Sequence, residues 1–452
     1  MSAALQNRQV VLRRLTQPGK SGMHSVMPQR QPSGSFLNNT VGRLLTGAVA
    51  FGLLVCLSAP ARAADWPQWR GPLRDGSTTE TIGTNWPGGK PVELWSAEVG
   101  RGHAPVCVAD GRTVTLGHTG EVDTVWCFDA AKGDALWRFD YPAIAHFKDE
   151  AAFKGAYDGP QAAPLIQDGR IYTLSRDGKV HCLEAATGAL VWKRDLLAEL
   201  KAKPPECGFA SSPLIAGGLL VVGVGAAGTA LDPATGDTRW QSGADIAGYA
   251  APVLVPDKGN GGRLLLFACK DLVSVNLVTG EKSWSLPWPT QYGVNVADPI
   301  VVGDAAFISS AYDRGCASVE LATGAVRWQN KAIRSQCSPL ILSDGCLYGF
   351  DGYINYGPGG QALVCLDPST GQSRWRQDGM AGQLIRAGDR LVVLLITGDL
   401  VIVRASPKSY EELARARVAK PEECPVTPAL AGGRLYVRTG AGRLTCFAVA
   451  ER

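Results

Sequence analysis

Residues 365–375 read CLDPSTGQSRW, and this eleven-residue frame decides the fold because the chain repeats it. The other copies are CFDAAKGDALW (127–137), CLEAATGALVW (182–192), ALDPATGDTRW (230–240), SVNLVTGEKSW (274–284) and SVELATGAVRW (318–328). The tryptophans that end successive copies lie 55, 48, 44, 44 and 47 residues apart. A repeat of this length with about four short strands is typical of a β-propeller blade.

The stretch AAPLIQDGRIYTLSRDGKVHCLEAATGALVWKRD (162–195) shows the order of signals within one repeat. Asp-Gly turns separate the first three apolar segments, and Thr187-Gly188 precedes the segment that carries Trp192. Turn residues between short apolar runs predict four antiparallel strands. The chain as a whole is 45% hydrophobic and 19% charged with 54 glycines, which favours a large, turn-rich, all-β fold.

Each position of the frame has a predicted structural role. An Asp, Glu or Asn at position three can accept hydrogen bonds from turn amides, and glycine at position seven tolerates the positive φ of a tight hairpin. The tryptophan is predicted on the outermost strand, with its ring against the next blade and its N–H bonded to a backbone carbonyl. Position one is always small, which indicates a tight contact rather than a reactive thiol: Cys127, Cys182, Ala230, Ser274, Ser318 and Cys365.

Two further repeats lack the frame. Residues 383–418 keep the first strands but replace the frame with SPKSYEELARARV, for which we expect a helical turn. Residues 427–452 supply only three strands, whereas residues 92–99 (VELWSAEV) resemble a tryptophan strand without a blade of its own. We therefore predict an eight-bladed β-propeller of four-stranded antiparallel blades. The N-terminal strand completes the last blade and removes an exposed sheet edge.

The first 63 residues have the pattern of an export signal. Six Lys or Arg and no acid precede the apolar run 44–57, which is too short to span a membrane, and Ala61-Arg62-Ala63 resembles a cleavage site. Cys56 gives only a weak lipoprotein signal, because Val55 stands where a small residue is needed. Without the signal the chain has 38 Lys plus Arg against 41 Asp plus Glu. We expect a slightly acidic exported protein, periplasmic or extracellular, with no nucleic-acid partner and no transmembrane span after signal cleavage.

The predicted organisation has three parts. Residues 1–63 form a signal peptide, residues 64–91 form an N-terminal segment with the sequence WPQWRGP, and residues 92–452 form one propeller domain. The tryptophan-rich segment is interpreted as a clasp or a contact. We expect the protein to be a monomer.

The frame resembles the tryptophan-docking motif A-x-D-x-x-T-G-x-x-x-W of eight-bladed propellers of the pyrroloquinoline quinone (PQQ) class. This class includes the quinoprotein alcohol dehydrogenases and the outer-membrane assembly factor BamB. The opening DWPQWRGPLRDG (65–76) is similar to that of secreted bacterial PQQ-like repeat proteins. The resemblance covers essentially the whole chain after the signal, and it implies a fold much more specifically than an activity.

The resemblance implies two functions of different kinds. In the dehydrogenases, PQQ lies at one mouth of the central channel between a tryptophan and a disulfide of adjacent cysteines, beside Ca²⁺ and an aspartate base. The twelve cysteines of this chain include no adjacent pair, and no C-x-x-C-H haem-attachment sequence occurs. These departures favour a binding or scaffold protein of the cell envelope whose partner is an envelope protein or a cell-wall component. The alternative is a PQQ- and calcium-dependent dehydrogenase of alcohols or sugars.

Candidate site residues are expected on the face formed by the loops into the first strands and between the second and third strands. The stretch SLPWPTQYGVNVADP (285–299) offers aromatic rings, an amide and a carboxylate, the groups that a quinone and a hard cation require. The candidate base is Asp298, and the candidate cofactor contacts are Trp288, Tyr292, Asn295, Arg334 and Gln336. In the alternative interpretation, the aromatic residues cover a loop and Asp298 caps the next strand.

Other residues on the same face complete the candidate set. They are His103, Tyr157, Asp158, Gln161, Glu206, Tyr353, Asn355 and Tyr356. Cys207, Cys337 and Cys424 each precede a first strand, where a metal or redox role is an alternative to a plain thiol. We expect most of the cysteines to be buried thiols.

Overall fold

The structure, a computed structural model, describes residues 64–145, 158–256, 261–352, 361–421 and 426–450. These residues form eight antiparallel sheets of four strands, one of which gains a short fifth strand. The prediction of an eight-bladed β-propeller is confirmed. The predicted signal peptide lies outside the described residues.

The strands follow the repeats of the sequence. Blade 1 consists of Cys107–Ala109, Arg112–Thr119, Val122–Asp129 and Ala135–Pro142, and blade 2 consists of Leu165–Gln167, Arg170–Leu174, Lys179–Glu184 and Leu190–Asp195. Blade 3 consists of Leu214–Ala216, Leu219–Val222, Thr229–Leu231 and Thr238–Gln241, and blade 4 consists of Val253–Val255, Arg263–Phe267, Asp271–Asn276 and Lys282–Pro287. Blade 5 consists of Ile300–Val302, Ala305–Ser310, Gly315–Glu320 and Val326–Asn330, and blade 6 consists of Ile341–Ser343, Cys346–Asp351, Ala362–Leu366 and Ser373–Asp378. Blade 7 consists of Gly382–Ala387, Arg390–Leu395, Asp399–Arg404 and Glu412–Arg417, and blade 8 consists of Ala429–Ala431, Arg434–Arg438, Arg443–Ala448 and Val92–Glu98.

Three short elements lie outside this scheme. Ser77–Thr78 pairs in parallel with the first strand of blade 7, which makes that sheet five-stranded. A 3-10 helix spans Pro87–Gly89, and an α-helix spans Leu196–Leu200. No helix in the described ranges is long and apolar enough to cross a membrane.

The ring closes as the sequence predicts. Val92–Glu98 pairs antiparallel with Arg443–Ala448, and Trp95 lies opposite Cys446. The first strands of neighbouring blades approach one another, including those of blades 1 and 8. The first strands therefore surround a central channel. We call the end of the channel at which the first strands begin the upper end. Successive strands of a blade alternate in direction, so the turns between second and third strands also lie at the upper end.

Tryptophan side chains join neighbouring blades at seven of the eight junctions. The indole N–H of six of them donates to the carbonyl at position four of the following repeat, over 2.9–3.3 Å: Trp95 to Ala130, Trp137 to Ala185, Trp192 to Pro233, Trp240 to Leu277, Trp284 to Leu321 and Trp328 to Pro368. In blade 6, Trp375 donates to Ser406 of blade 7. The glycine at position seven of the receiving repeat lies directly against the ring, as Gly280 does under Trp240. The predicted ring and N–H contacts are therefore present.

Position one of the frame contributes to the same contact from inside the blade. It pairs across strands with the tryptophan of its own repeat, as Cys127 pairs with Trp137 and Ala230 with Trp240. The ladder shifts register just after this pair. The Asp and Asn side chains at position three accept turn amides as predicted; the Asp232 carboxylate accepts from the backbone N–H groups of Ala234 and Thr235. The Glu184 carboxylate instead accepts from the Arg170 guanidinium, and that of Glu320 accepts from the Thr323 hydroxyl. A small residue at position one therefore leaves room for the broad indole opposite it.

The expected helical turn in SPKSYEELARARV is wrong. Residues Glu412–Arg417 instead form the fourth strand of blade 7. Ala, Leu, Glu and Arg favour helix intrinsically, but the open edge of the third strand offers backbone hydrogen bonds that outweigh this preference. The usual pairing of small residue and tryptophan is reversed here, because buried Ile402 on the third strand faces Ala414 on the fourth.

A matched pair of glycine substitutions tests the tryptophan contact. Gly280 and Gly169 both have φ of 71°, but a Cβ at Gly280 would lie 2.5 Å from the Trp240 ring, whereas a Cβ at Gly169 would meet nothing within 4 Å. We expect Gly169→Ala to lower the free energy of unfolding by about 1–2 kcal/mol through backbone strain alone. Gly280→Ala should cost roughly 1–3 kcal/mol more, because the ring must move. Urea unfolding would measure both values, and equal losses would contradict the packing role of position seven.

Candidate functional site

The upper mouth of the channel contains an open cleft. Its lining comes from the loops that enter the first strands of blades 2 to 6 and from one upper turn of blade 5: Gln161, Glu206, Cys207, Tyr249, Val294, Val296, Gln336, Cys337 and Tyr312. Three of the residues nominated from the sequence, Gln161, Glu206 and Gln336, therefore meet at one concave surface. The tyrosines and valines make this surface mainly apolar.

Asp298 lies just before the first strand of blade 5 and is buried. One carboxylate oxygen accepts the indole N–H of Trp69 over 2.6 Å, and the other accepts the backbone N–H of Ala251 over 2.8 Å. Burial raises the pKa of this carboxyl, while the Arg70 guanidinium and the two hydrogen bonds oppose the rise. Both oxygens of the candidate base are therefore engaged inside the fold.

Trp288 and Asn295 form one buried network. The Trp288 indole donates to the Ser310 hydroxyl over 3.1 Å, and that hydroxyl donates to the Asn295 amide oxygen over 2.7 Å. The Asn295 amide group donates to the carbonyls of Ala268 and Trp288 over 2.8 and 3.1 Å. The Arg314 guanidinium lies 3.6 Å from the centre of the Trp288 ring. The network holds the loop between blades 4 and 5 in place.

Of the other three nominated contacts, Tyr292 is exposed, Arg334 is half-buried and Gln336 is buried. Tyr292 is 48% exposed and packs edge-on against Tyr312, with ring centroids 5.0 Å apart. Gln336 is buried and donates to the Tyr312 hydroxyl over 3.1 Å. Arg334 forms a two-point ion pair with buried Asp351, at 3.0 Å for each contact. Tyr292 and Gln336 thus meet at Tyr312, whereas Arg334 is directed to blade 6.

The remaining nominated residues lie in several different environments. Burial and the nearby Arg438 lower the pKa of His103 to about 4, so it is neutral at physiological pH. Asp158 lies 3.9 Å from the Arg101 guanidinium. Tyr157, Tyr353, Asn355, Tyr356 and Cys424 lie outside the described residues. Eight of the ten described cysteines are buried, as expected, and the half-buried two, Cys207 and Cys337, line the cleft.

The contacts of Asp298, Asn295 and Trp288 can be compared with what a bound quinone and a calcium ion require. Asp298 and Asn295 have their oxygens in hydrogen bonds to protein donors, and the Trp288 ring is fully buried beside Arg314. Within the described ranges, no three His, Cys, Asp or Glu side chains are grouped so that they could hold a metal ion. As arranged, these residues do not fit PQQ with calcium, because the ligand atoms would first have to lose their present partners.

Sequence reasoning missed the groups that lie directly below the mouth. Trp69, Arg70 and Arg74 come from the N-terminal segment and reach the starts of the first strands. Arg70 donates to the Leu340 carbonyl over 2.7 Å, and Arg74 donates to the Pro213 carbonyl over 2.9 Å. The signal available in the sequence is the tryptophan-rich WPQWRGP, which predicts a clasp or a contact but does not identify its partners.

Comparisons with known proteins identify two groups of relatives. Residues 123–377 match the family described as outer membrane protein assembly factor BamB. A protein of that name from Burkholderia pseudomallei (strain K96243) is 26% identical over 359 residues, which cover 69% of this chain and 88% of the relative. The quinohemoprotein alcohol dehydrogenase ADH-IIG of Pseudomonas putida is 29% identical over 141 residues, which cover 30% of this chain and 18% of the dehydrogenase.

A solved structure supports the same fold. BamB from Moraxella catarrhalis matches with a TM-score of 0.58 and 16% identity, covering 79% of this chain and 100% of that one. At this identity the likeness concerns the architecture. The sequence matches therefore include both an assembly factor and dehydrogenases.

Two substitutions in the loop between blades 4 and 5, which we call the mouth loop, distinguish a buried residue that supports the fold from an exposed surface residue. Asn295→Ala would leave the Ala268 and Trp288 carbonyls and the Ser310 hydroxyl without their partner, so we expect a loss of about 2–4 kcal/mol in the free energy of unfolding. Tyr292→Ala removes an exposed ring and should cost less than about 1 kcal/mol. Chemical unfolding followed by tryptophan fluorescence measures both. Similar costs for the two variants would contradict the network.

Proposed function

Because the chain belongs to the family described as outer membrane protein assembly factor BamB, we propose that it is a non-catalytic binding protein of the cell envelope. It is exported by the signal peptide predicted over residues 1–63 and acts as a monomer in the periplasm or outside the cell. Its partner is an envelope protein, bound at the upper mouth of the channel. The finer proposal is that this partner takes part in outer membrane protein assembly.

One observation carries the non-catalytic proposal. The polar atoms of the nominated base and of the nominated amide, Asp298 and Asn295, serve internal hydrogen bonds that hold the mouth together. Among the described residues, the mouth presents a mainly apolar cleft lined by tyrosine, valine and glutamine side chains together with Glu206. Such a surface suits a protein segment, because tyrosine offers a large contact area and a hydrogen-bonding hydroxyl with little side-chain entropy to lose.

The second candidate function is a PQQ- and calcium-dependent dehydrogenase of alcohols or sugars. It is favoured by the similarity to the Pseudomonas putida dehydrogenase over 141 residues. In that function Asp298 would be the base, and Trp288, Tyr292, Asn295, Arg334 and Gln336 would contact the cofactor. It would require a different arrangement of the mouth, since Asp298 and Asn295 would have to exchange protein donors for ligand atoms.

A site-specific photocrosslinker tests the proposed partner surface. Tyr292 in the mouth loop and Leu136 on the outer strand of blade 1 are both 48% exposed, so they form a matched pair. We expect a crosslinker at position 292, introduced into the protein in living cells, to capture a component of the outer-membrane protein assembly apparatus. The same crosslinker at position 136 should not. Equal capture at both positions, or none at position 292, would contradict the mouth as the binding surface.

A cofactor titration tests the choice between the two functions. We expect the purified protein to show no saturable binding of PQQ at micromolar concentrations with Ca²⁺ present, and no alcohol-dependent reduction of an artificial dye. The reason is that the candidate ligand atoms already have partners in the fold. Saturable binding together with dye reduction would establish the dehydrogenase, and loss of both in Tyr292→Ala, an exposed position, would locate the cofactor at the mouth.

A further inference from the structure

The N-terminal segment, residues 65–83, runs through the central channel as a hairpin, which we call the channel hairpin. We infer that the channel is a peptide-binding site whose ligand is this segment of the same chain. The inference concerns the channel below the mouth, and it is independent of any partner bound above.

Strand directions establish the path of the channel hairpin. All first strands run from the upper to the lower end. Trp66 pairs antiparallel with Val108 in blade 1, so the segment rises there, and the Pro67 carbonyl accepts the N–H of Ile166 in blade 2. Ser77–Thr78 pairs in parallel with blade 7, so the segment descends there. Between these limbs the chain must reverse near the upper end.

The reversal is fixed by side chains that reach four further blades. Trp69 donates to Asp298 before blade 5, and Arg70 donates to the Leu340 carbonyl before blade 6. Arg74 donates to the carbonyls of Pro213 and Pro252, which precede blades 3 and 4, over 2.9 and 3.4 Å. These contacts all meet the starts of first strands. The tip of the channel hairpin therefore lies just below the mouth cleft.

The descending limb reaches the last blade. The Glu80 carboxylate accepts the backbone N–H groups of Gly432 and Gly433, in the turn after the first strand of blade 8, over 2.7 and 2.9 Å. With this contact, residues 66–80 have polar contacts to all eight blades. A segment that touches every blade stabilises the ring as a whole, since no blade can move outward without losing a hydrogen bond.

The same segment fills the junction that has no docked tryptophan. Blade 7 presents Ala414 where the other blades present tryptophan. The carbonyl at position four of blade 8 is that of Val449, and it accepts the backbone N–H of Gly83 over 2.7 Å. Ile82 is fully buried in the apolar cluster shared by blades 7 and 8. The Gly83 N–H thus supplies the hydrogen bond that an indole N–H supplies elsewhere, and Ile82 adds an apolar side chain to the same region.

The tip carries costs that only a specific binding site would offset. Arg70 and Arg74 both have left-handed backbone conformations, with φ of 61° and 56°. Burial lowers the pKa of Arg70, and it lowers the pKa of Arg74 to about 10, so Arg74 is charged at neutral pH. Carbonyl groups of separate blades and the Asp298 carboxylate surround these side chains. The sequence of the tip and the geometry of the ring are therefore matched to each other.

A cut introduced after folding tests whether the channel hairpin is a bound ligand. Residues 87–90 are all exposed, so a protease recognition sequence can be inserted there in the full chain. After cleavage, we expect the N-terminal fragment to co-elute with the ring in size-exclusion chromatography at about 1 µM protein. In the double variant Trp69→Ala, Arg70→Ala, the fragment should separate, whereas Leu73→Ala, at a tip position that is 72% exposed, should leave retention unchanged.

Hydrogen exchange on the uncut, unsubstituted protein provides a second test that does not depend on the insertion. The amides of Trp66 and Gly83 donate to ring carbonyls, so we expect them to exchange at least 100-fold more slowly than the amides of Gly88 and Lys90, which are exposed residues. Release of the unsubstituted fragment on cleavage, or equally fast exchange of both sets of amides, would overturn the inference. Retention with slow exchange supports it.

Discussion

The docking of one tryptophan onto the next repeat is the interaction on which the ring depends. Six docked indoles combine a buried or half-buried ring, a hydrogen bond to the position-four carbonyl and close contact with the position-seven glycine, as Trp240 does with Leu277 and Gly280. The contact links neighbouring blades through residues about one repeat apart. An edge strand that docks in this way leaves little free sheet edge for pairing with another molecule.

The repeats carry enough local information to predict most of this architecture. The frame sets the turn, the small partner residue and the docked ring within eleven residues, so blade count and ring closure by residues 92–99 follow from the sequence. The helical expectation for residues 406–418 failed because intrinsic propensity favours helix there, while the strand depends on an edge supplied by Asp399–Arg404. That edge is evident only once the blade has formed.

The candidate site was less predictable for a different reason. Residue types in the loop 285–299 suit either ligand binding or internal support, and the choice depends on partners far away in the chain. Asp298 meets Trp69 across 229 residues, and no local pattern predicts that pairing. The ring of Tyr292 is exposed, as its position within a loop alone predicts. The surface of the mouth was therefore easier to predict than its supporting network.

Blade 8 contains both ends of the propeller, and this has a consequence for how the chain reaches its native state. Blades 1 to 7 can form in order of sequence, because each needs mainly the repeat before it. Blade 8 cannot form until its C-terminal strands meet a segment near the start, as Glu80 meets Gly432 across 352 residues. Contacts so distant in sequence raise the contact order and slow folding, whereas the entropic cost of closing the loop rises only slowly with its length. Blade 8 therefore couples residues near the start of the propeller to its last strands, and completing this one sheet is what closes the ring.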